Sequence, residues 1–292
     1  MKNQTKAYLL ALTAVLFWST IGTAFKVSLR YLDPLSLLFF SSFTASFVLA
    51  LFILITNNLQ QLRRTTIKDL GVSAFLGLLN PFLYYVVLLK AYDRLPAQEA
   101  GTLNYIWPLV LVLLSIPLLK QKISTMSILA ILISFSGIIV ISTHGNVFGL
   151  TFSDPAGVLM AVGSAVFWAL YWIFSLKDKR DAVVKLFLAF AFGWFYTLIT
   201  LLWAGGIKIP EIRGLGGAIY IGIFEMGLTF LIWLNALKLS ATTAKISNLI
   251  YLSPFISLII IHVVIGEIIL LSTIVGLLLI VSGIILQQYL KS

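Results

Sequence analysis

Residues 76–90, "LGLLNPFLYYVVLLK", are apolar for almost their whole length, yet they carry Asn80 and Pro81 near the middle. Residues 221–235, "IGIFEMGLTFLIWLN", repeat this arrangement with Glu225. An ionisable side chain at the centre of a bilayer costs about 3 kcal/mol on insertion scales, and such residues face the interior of a helix bundle or a water-filled cavity. Glu225 follows Asn80 by 145 positions. The pattern predicts two polar side chains at equivalent depths in two related halves of a membrane protein.

The composition indicates that lipid is the solvent for most of the exterior. Hydrophobic residues make up 60% of the 292 residues and charged residues 10%, whereas soluble domains carry about 25% charged residues. We therefore expect an all-α integral membrane protein. Windows of about 20 apolar residues predict ten transmembrane helices, at residues 7–25, 34–56, 70–92, 97–119, 125–143, 156–176, 183–203, 215–238, 241–263 and 269–290.

The basic residues predict the orientation of these helices. With the amino terminus in the cytoplasm, fourteen lysine and arginine residues fall in cytoplasmic segments and six on the other side, which follows the positive-inside rule. Ten spans then place both termini in the cytoplasm. Basic ends that face anionic lipid account for the net charge of +10, so membrane lipid is the expected partner and nucleic acid is not.

The two halves of the chain resemble each other. "LNYIWPLVLVLLS" (103–115) matches "LIYLSPFISLIII" (249–261), and "SFSGIIVI" (134–141) matches "IVSGIILQ" (280–287), both at an offset of 146 residues. We therefore expect two repeats, 1–145 and 146–292, with five spans each. Since five is odd, the repeats are inverted with respect to the membrane. Inverted repeats are typical of secondary transporters, whose substrate site lies near the midplane between the repeats.

The sequence lacks the residues and motifs that several classes of protein need for their function. There is no cysteine, and the two histidines, His144 and His262, lie far apart, which argues against a disulfide framework and against a thiolate or histidine metal site. No GxxxxGK[ST] loop and no nucleophile elbow occurs. We expect no cofactor, no metal and no enzymatic activity.

The motifs "FWS" (17–19), "LNYIWP" (103–108), "SGIIVI" (136–141) and "NLIYLSPFISLIIIHVVIGE" (248–267) resemble the EamA-type members of the drug/metabolite transporter superfamily. Within it, residues 104–108 are most similar to the YddG-type exporters of aromatic amino acids. The resemblance implies a central cavity that opens to one side at a time, lined by the first, third, fourth, sixth, eighth and ninth helices. It also implies that the fifth and tenth helices are peripheral and available for a homodimer contact. Gln121 departs from the family pattern, which often has glutamate there.

Candidate substrate-binding residues follow from the helices that the resemblance places around the cavity. They combine aromatic rings with a few amide, hydroxyl and carboxyl groups, as small-molecule pockets do. The candidates are Trp18, Asn80, Tyr84, Asn104, Tyr105, Trp107, Trp168, Tyr171, Glu225, Asn248 and Tyr251.

Each of the polar candidates has a structural alternative. Glu225 is the candidate for proton coupling, but a protonated glutamic acid also serves as a hydrogen-bond donor between helices. Asn80 precedes Pro81, which marks either a broken helix at a cavity or an ordinary kink. Lys26 is either a cation for a substrate carboxylate or a lysine that snorkels to the interface. Glu99 and Lys245 are equivalent at the 146 offset. Either they lie at opposite mouths of one pathway, or Glu99 stabilises a helix amino end and Lys245 faces anionic lipid head groups.

These observations favour a secondary transporter that exports amino acids or related small metabolites across a bacterial or archaeal cytoplasmic membrane by alternating access. The alternatives are a lipid flippase or membrane scaffold without a small-molecule cavity and, with less support, a membrane-embedded lipid enzyme. That enzyme would need a cluster of acids, histidines or a metal site, and the sequence shows none.

Overall fold

A computed structural model describes residues 3–56, 58–120, 125–149, 154–240 and 248–289. The described chain is helical and contains no strand. Its α-helices are α1 Asn3–Ser28, α2 Pro34–Ile55, α3 Leu59–Arg63, α4 Ile67–Gly77, α5 Tyr84–Arg94, α6 Ala97–Asn104, α7 Trp107–Leu119, α8 Thr125–Ser142, α9 Pro155–Lys177, α10 Ala182–Trp203, α11 Ile212–Ile221, α12 Leu228–Leu239, α13 Ser253–Ile265 and α14 Leu271–Tyr289.

Seven helical stretches are long and apolar enough to cross a bilayer within the described residues. They are Asn3–Ser28, Pro34–Ile55, Ile67–Arg94, Ala97–Leu118, Pro155–Lys177, Ala182–Trp203 and Ile212–Leu239. Three shorter apolar helices, Ile128–Ser142, Leu249–Ile265 and Leu271–Leu286, lie at the fifth, ninth and tenth predicted windows. The prediction of an all-helical protein with many apolar helices is therefore confirmed.

Aspartate residues start three of the long helices. Asp33 accepts hydrogen bonds from the backbone N–H groups of Leu35 and Ser36 before α2. Asp154 and Asp181 cap α9 and α10 in the same way. A capping carboxylate satisfies N–H groups that have no partner within the helix. These caps fix where the chain enters three of its spans.

Two long helices are interrupted at mid-length by π-helical turns. The first, Leu78–Leu83, joins α4 to α5, and Asn80 within it has non-helical backbone angles of φ −146° and ψ 122°. Pro81 lacks the N–H that a helix needs there. The second, Gly222–Gly227, joins α11 to α12 and carries Glu225. Both polar residues that interrupt apolar runs in the sequence thus lie in π-helical turns.

Helices from the two halves of the sequence pack against each other. Helix α1 contacts α12 and α13, α9 contacts α5 and α7, α2 packs on α10, and α8 packs on α14. Glycines allow close approach at two reciprocal contacts, because a Cβ built on Gly77 would clash with the carbonyl oxygen of Ala189 and one on Gly222 would lie 2.5 Å from that of Ser41. The interface between the halves is therefore extensive, and it encloses the cavity described below.

Candidate functional site

A cavity of about 560 Å³ lies between helices of the two halves. Its wall includes residues from α1, α5, α6, α7, α9, α12, α13 and the second π-helical turn. Eight of the predicted site residues are on this wall. They are Trp18, Tyr84, Asn104, Tyr105, Trp107, Trp168, Glu225 and Tyr251.

Aromatic rings form a continuous part of the wall, with Trp168 at its centre. The Trp168 ring centroid lies 4.7 Å from that of Tyr84, 5.9 Å from that of Phe230 and 6.4 Å from that of Trp107. Trp18 extends the surface, since its ring lies 5.9 Å from Phe230 and 5.3 Å from Trp233. Such edge and tilted contacts hold the rings in place, so the wall offers apolar, electron-rich faces.

Among the described residues of the wall, Glu225 is the one aspartate, glutamate, lysine or arginine. Its side chain is 9% exposed, and the hydroxyl of the fully buried Tyr85 donates to its Oε1 over 2.9 Å. Helix α5 supplies Tyr85, and the second π-helical turn supplies Glu225. This hydrogen bond therefore joins the third helical span of one half to that of the other.

A second set of hydrogen bonds fixes Tyr84 and Asn104. The Tyr84 hydroxyl donates to Asn104 Oδ1 over 3.2 Å, and Asn104 Nδ2 donates to Ser164 Oγ over 2.8 Å. The Tyr105 hydroxyl donates to the backbone carbonyl of Ile250. These bonds orient three predicted site residues, and the Tyr84 ring presents its face beside Trp168.

Three predicted site residues are not part of the described wall. Asn80 is 0% exposed, and neither of its side-chain polar atoms has a hydrogen-bond partner of good geometry among the described residues, although the Tyr171 hydroxyl lies close to it. Tyr171 is buried behind the wall, with its ring 6.0 Å from that of Trp168. The side chain of Asn248, together with Gln121 and Lys245, lies outside the described residues.

Sequence reasoning missed some residues of the wall. Phe25, Tyr92, Gln98 and Phe230 line the cavity but were not among the candidates. Helical spacing could have found two of them. Tyr92 follows Tyr84 by eight residues and Phe25 follows Trp18 by seven residues, which is about two helical turns in each case. Each therefore shares a helix face with a candidate.

Hydrogen bonds and ion pairs link the helix ends at one end of the cavity. Glu267 accepts from the backbone N–H groups of Ala97 and Gln98, over 2.9 Å and 3.2 Å. The Gln98 side chain in turn bonds the carbonyl of Ile268 and the N–H of Leu270. The segment between α13 and α14 is thereby clamped to the start of α6, and Gln98 itself lines the cavity.

Basic side chains make further contacts at this end. Lys26 donates to the carbonyl oxygens of Tyr92 and Leu95, each over 2.7 Å, so it caps the end of α5 instead of lying free in the cavity. Arg94 makes two hydrogen bonds to Asp154. The N–H of Gly157 and the Arg94 guanidinium hold the pKa of the Asp154 carboxyl below its ordinary value. Glu99 lies 3.3 Å from the Nε2 of His144.

No group of three or more histidine, cysteine, aspartate and glutamate side chains that could hold a metal ion occurs in the described part of the chain.

Apolar helices of bilayer length around an aromatic cavity are what a multi-pass membrane transporter requires, and the comparisons agree with this class. The model of the EamA-like transporter family matches residues 5–143 and again residues 155–287. The chain belongs to this family, as the sequence motifs predicted.

Two relatives and one solved structure illustrate the similarity. The uncharacterized transporter YvbV of Bacillus subtilis is 29% identical over 97% of this chain and 92% of its own length. The aromatic amino acid exporter YddG of Ancylobacter novellus is 27% identical over 61% of each chain. One crystal structure has a TM-score of 0.67, with 22% identity and 99% of both chains covered. At that identity the crystal structure shows the shared fold alone.

Proposed function

We propose that this protein is a secondary transporter that exports amino acids or related small metabolites by alternating access. The observation that carries the proposal is the cavity of about 560 Å³ whose wall joins aromatic faces to Glu225. Its size falls within the range of small-molecule sites, about 300–1,000 Å³. The transporter family makes a small-molecule substrate the expected partner.

The architecture proposed for this function is ten spans in two inverted repeats, residues 1–145 and 146–292. The family model matches each half once, which supports a duplication. The contact between α8 and α14 also supports it. A Cβ on Gly137 would lie 2.5 Å from the carbonyl oxygen of Gly276, and one on Gly283 would lie 2.5 Å from that of Ala130. At an offset of 146 residues each of these contacts becomes the other, as a two-fold axis between the halves would require.

Alternating access requires each mouth of the cavity to open in turn. The clamp formed by Glu267 and Gln98, together with the Arg94–Asp154 pair, links the helix ends at one end of the cavity. We propose that these contacts break in the conformation that is open on this side. Hydrogen bonds and exposed ion pairs suit such a role because each contributes only about 1 kcal/mol.

The substrate class is proposed from the wall and from one relative. Aromatic walls suit aromatic or large apolar side chains. The relative from Ancylobacter novellus bears the name of an aromatic amino acid exporter. We propose the cytoplasmic membrane of a bacterium or archaeon as the location, with both termini in the cytoplasm. A homodimer through the peripheral α8 and α14 completes the proposal.

Glu225 is the proposed proton-coupling residue. Its carboxyl group faces the cavity and accepts a hydrogen bond from Tyr85. The titratable side chains that interact with it are Tyr84, Tyr85 and Tyr92. In the described part of the chain, no lysine, arginine or histidine forms an ion pair with it. A carboxyl group in this setting can take up a proton from the cavity and release it there.

The test is efflux of radiolabelled phenylalanine from proteoliposomes under an imposed pH gradient. We expect the wild-type protein to transport faster with the gradient, and we expect Glu225→Gln to lose that gradient-driven component because glutamine does not titrate. Glu211→Gln is the matched control, since Glu211 is an exposed glutamate outside the cavity. Equal gradient dependence in Glu225→Gln and the wild type would refute the coupling role. Absence of transport for a broad panel of amino acids and amines would refute the exporter proposal and favour the flippase or scaffold alternatives.

A further inference from the structure

We infer that the cavity recognises its substrate by an ammonium group, which Glu225 and the adjacent aromatic faces bind together. This inference rests on the proposed function and names the chemistry of its substrate. It assigns the ammonium group of the substrate to the part of the wall that contains Glu225 and the neighbouring aromatic rings. The substrate class is then organic primary amines with an aromatic or apolar body, and this class includes amino acids.

The first argument concerns the geometry of Glu225. Its Oε1 accepts from Tyr85 over 2.9 Å, and no bond from a described residue occupies Oε2. The side chain retains 9% exposure and belongs to the cavity wall. A carboxylate oxygen that faces a cavity inside a membrane has few sources of compensation for its charge. An ammonium group brings three donors and the opposite charge, and charge-assisted hydrogen bonds are the strong ones.

The second argument concerns the rings beside Glu225. Tyr85 holds the carboxylate, and its ring lies 4.6 Å from that of Tyr84. The Tyr84 ring lies 4.7 Å from that of Trp168, with an angle of 33° between the planes. A cation within about 6 Å of such ring faces is attracted by their quadrupoles, and tryptophan attracts most strongly. The carboxylate and the ring faces therefore favour the same kind of ligand group.

The third argument concerns Lys26, the lysine that the sequence offers as a partner for a substrate carboxylate. Both of its recorded hydrogen bonds run to backbone carbonyls at the end of α5. Its ammonium group is therefore engaged at the end of α5. Among the described residues that line the cavity, Glu225 is the one aspartate, glutamate, lysine or arginine, so a full charge on this wall is negative.

The experiment measures binding of three ligands with the same ring and two-carbon chain to the purified full-length protein by isothermal titration calorimetry. The ligands are phenethylamine, which carries only the ammonium group, phenylalanine, which carries both charges, and 3-phenylpropionate, which carries only the carboxylate. We expect phenethylamine to bind at least tenfold more tightly than 3-phenylpropionate. We expect phenylalanine also to bind more tightly than 3-phenylpropionate.

Variants test whether Glu225 and Trp168 bind the ammonium group. We expect Glu225→Gln to weaken phenethylamine binding at least tenfold and Trp168→Leu to weaken it several-fold, whereas Glu211→Gln leaves it unchanged. If Glu225→Gln does not fold, the wild-type ligand series alone decides. Equal or tighter binding of 3-phenylpropionate overturns the inference and leaves the transporter proposal standing. If none of the three ligands binds, the inference falls, and the exporter proposal falls with it only if a broad panel of amino acids and amines is not transported either.

Discussion

Asp154 serves two purposes at the start of α9. Its carboxylate accepts a hydrogen bond from the N–H of Gly157 and pairs with Arg94, whose Nε lies 2.9 Å from one oxygen. Both interactions favour the ionised form and hold the pKa of Asp154 below its ordinary value of about 3.9. A carboxyl group whose pKa is lower in the folded state stabilises that state above its unfolded pKa, and this stabilisation is lost as the pH falls through the folded pKa.

We therefore predict that Asp154→Ala lowers the midpoint of thermal unfolding at pH 7, and that the difference from the wild type shrinks as the pH falls toward 3. Asp154→Asn is the matched variant, because asparagine also caps helices well but cannot pair with Arg94. It should cost less stability than Asp154→Ala. A difference between Asp154→Ala and the wild type that stays constant from pH 7 to pH 3 would contradict this account.

Asn80 shows what the sequence could not predict at the scale of one residue. The apolar runs predicted that Asn80 lies near the middle of a membrane span, at a depth equivalent to that of Glu225. The π-helical turns begin at Leu78 and Gly222, which are 144 positions apart, so the positional counterpart of Glu225 is Pro81. The backbone at Asn80 is also not helical, so regular helix geometry does not relate the directions of the two side chains. Glu225 lies on the wall, whereas Asn80 is 0% exposed, and substrate contact by Asn80 stays a prediction.

At the scale of elements, the sequence predicted the helices well and their partners poorly. Hydropathy and the Asp-Pro pairs at 33–34 and 154–155 located α2 and α9 to within a residue or two. Which helices pack together depends on the shapes of their side chains, and the sequences of apolar helices are too similar to identify the partners. Tyr85 is an example, because its hydroxyl reaches Glu225 across the interface between the halves and no local pattern shows that pairing.

Close helix contacts through glycine lead to a prediction at this scale. We expect Gly77→Ala to destabilise the protein by about 1–3 kcal/mol, the usual range for overpacking, because the new methyl group would meet the backbone of α10. Gly163→Ala is the matched control, since nothing lies within 4 Å of a Cβ there and alanine favours a helix. Thermal unfolding in detergent measures both. Equal stability of the two variants would show that α4 and α10 lie further apart than described.

At the scale of the whole molecule, the direction of each half relative to the membrane is open to a direct test. The sequence contains no cysteine, so single cysteines can be introduced without a background. In inverted repeats, the first helices of the two halves, α1 and α9, begin on opposite faces of the membrane. Asn3 is exposed at the start of α1, and Phe148, which precedes α9, is 99% exposed.

We predict that a membrane-impermeant thiol reagent added to intact cells labels Phe148→Cys. Asn3→Cys should be labelled only after the cells are permeabilised, because the basic residues put that end in the cytoplasm. Lys179→Cys, beyond the other end of α9, is the control and should behave like Asn3→Cys. Labelling of Asn3→Cys and Phe148→Cys from the same face would mean that the halves run parallel.

The reciprocal packing of the halves has a consequence for biogenesis. Helices α1, α2 and α8 each take their main partners from residues after 154. During synthesis these helices enter the lipid well before those partners leave the ribosome. Until then the glycine surface of Gly77 and the hydroxyl of Tyr85 have no partner from the second half. The helices of the first half therefore remain loosely associated in the bilayer during synthesis. They pack into their final arrangement only after the second half has been inserted.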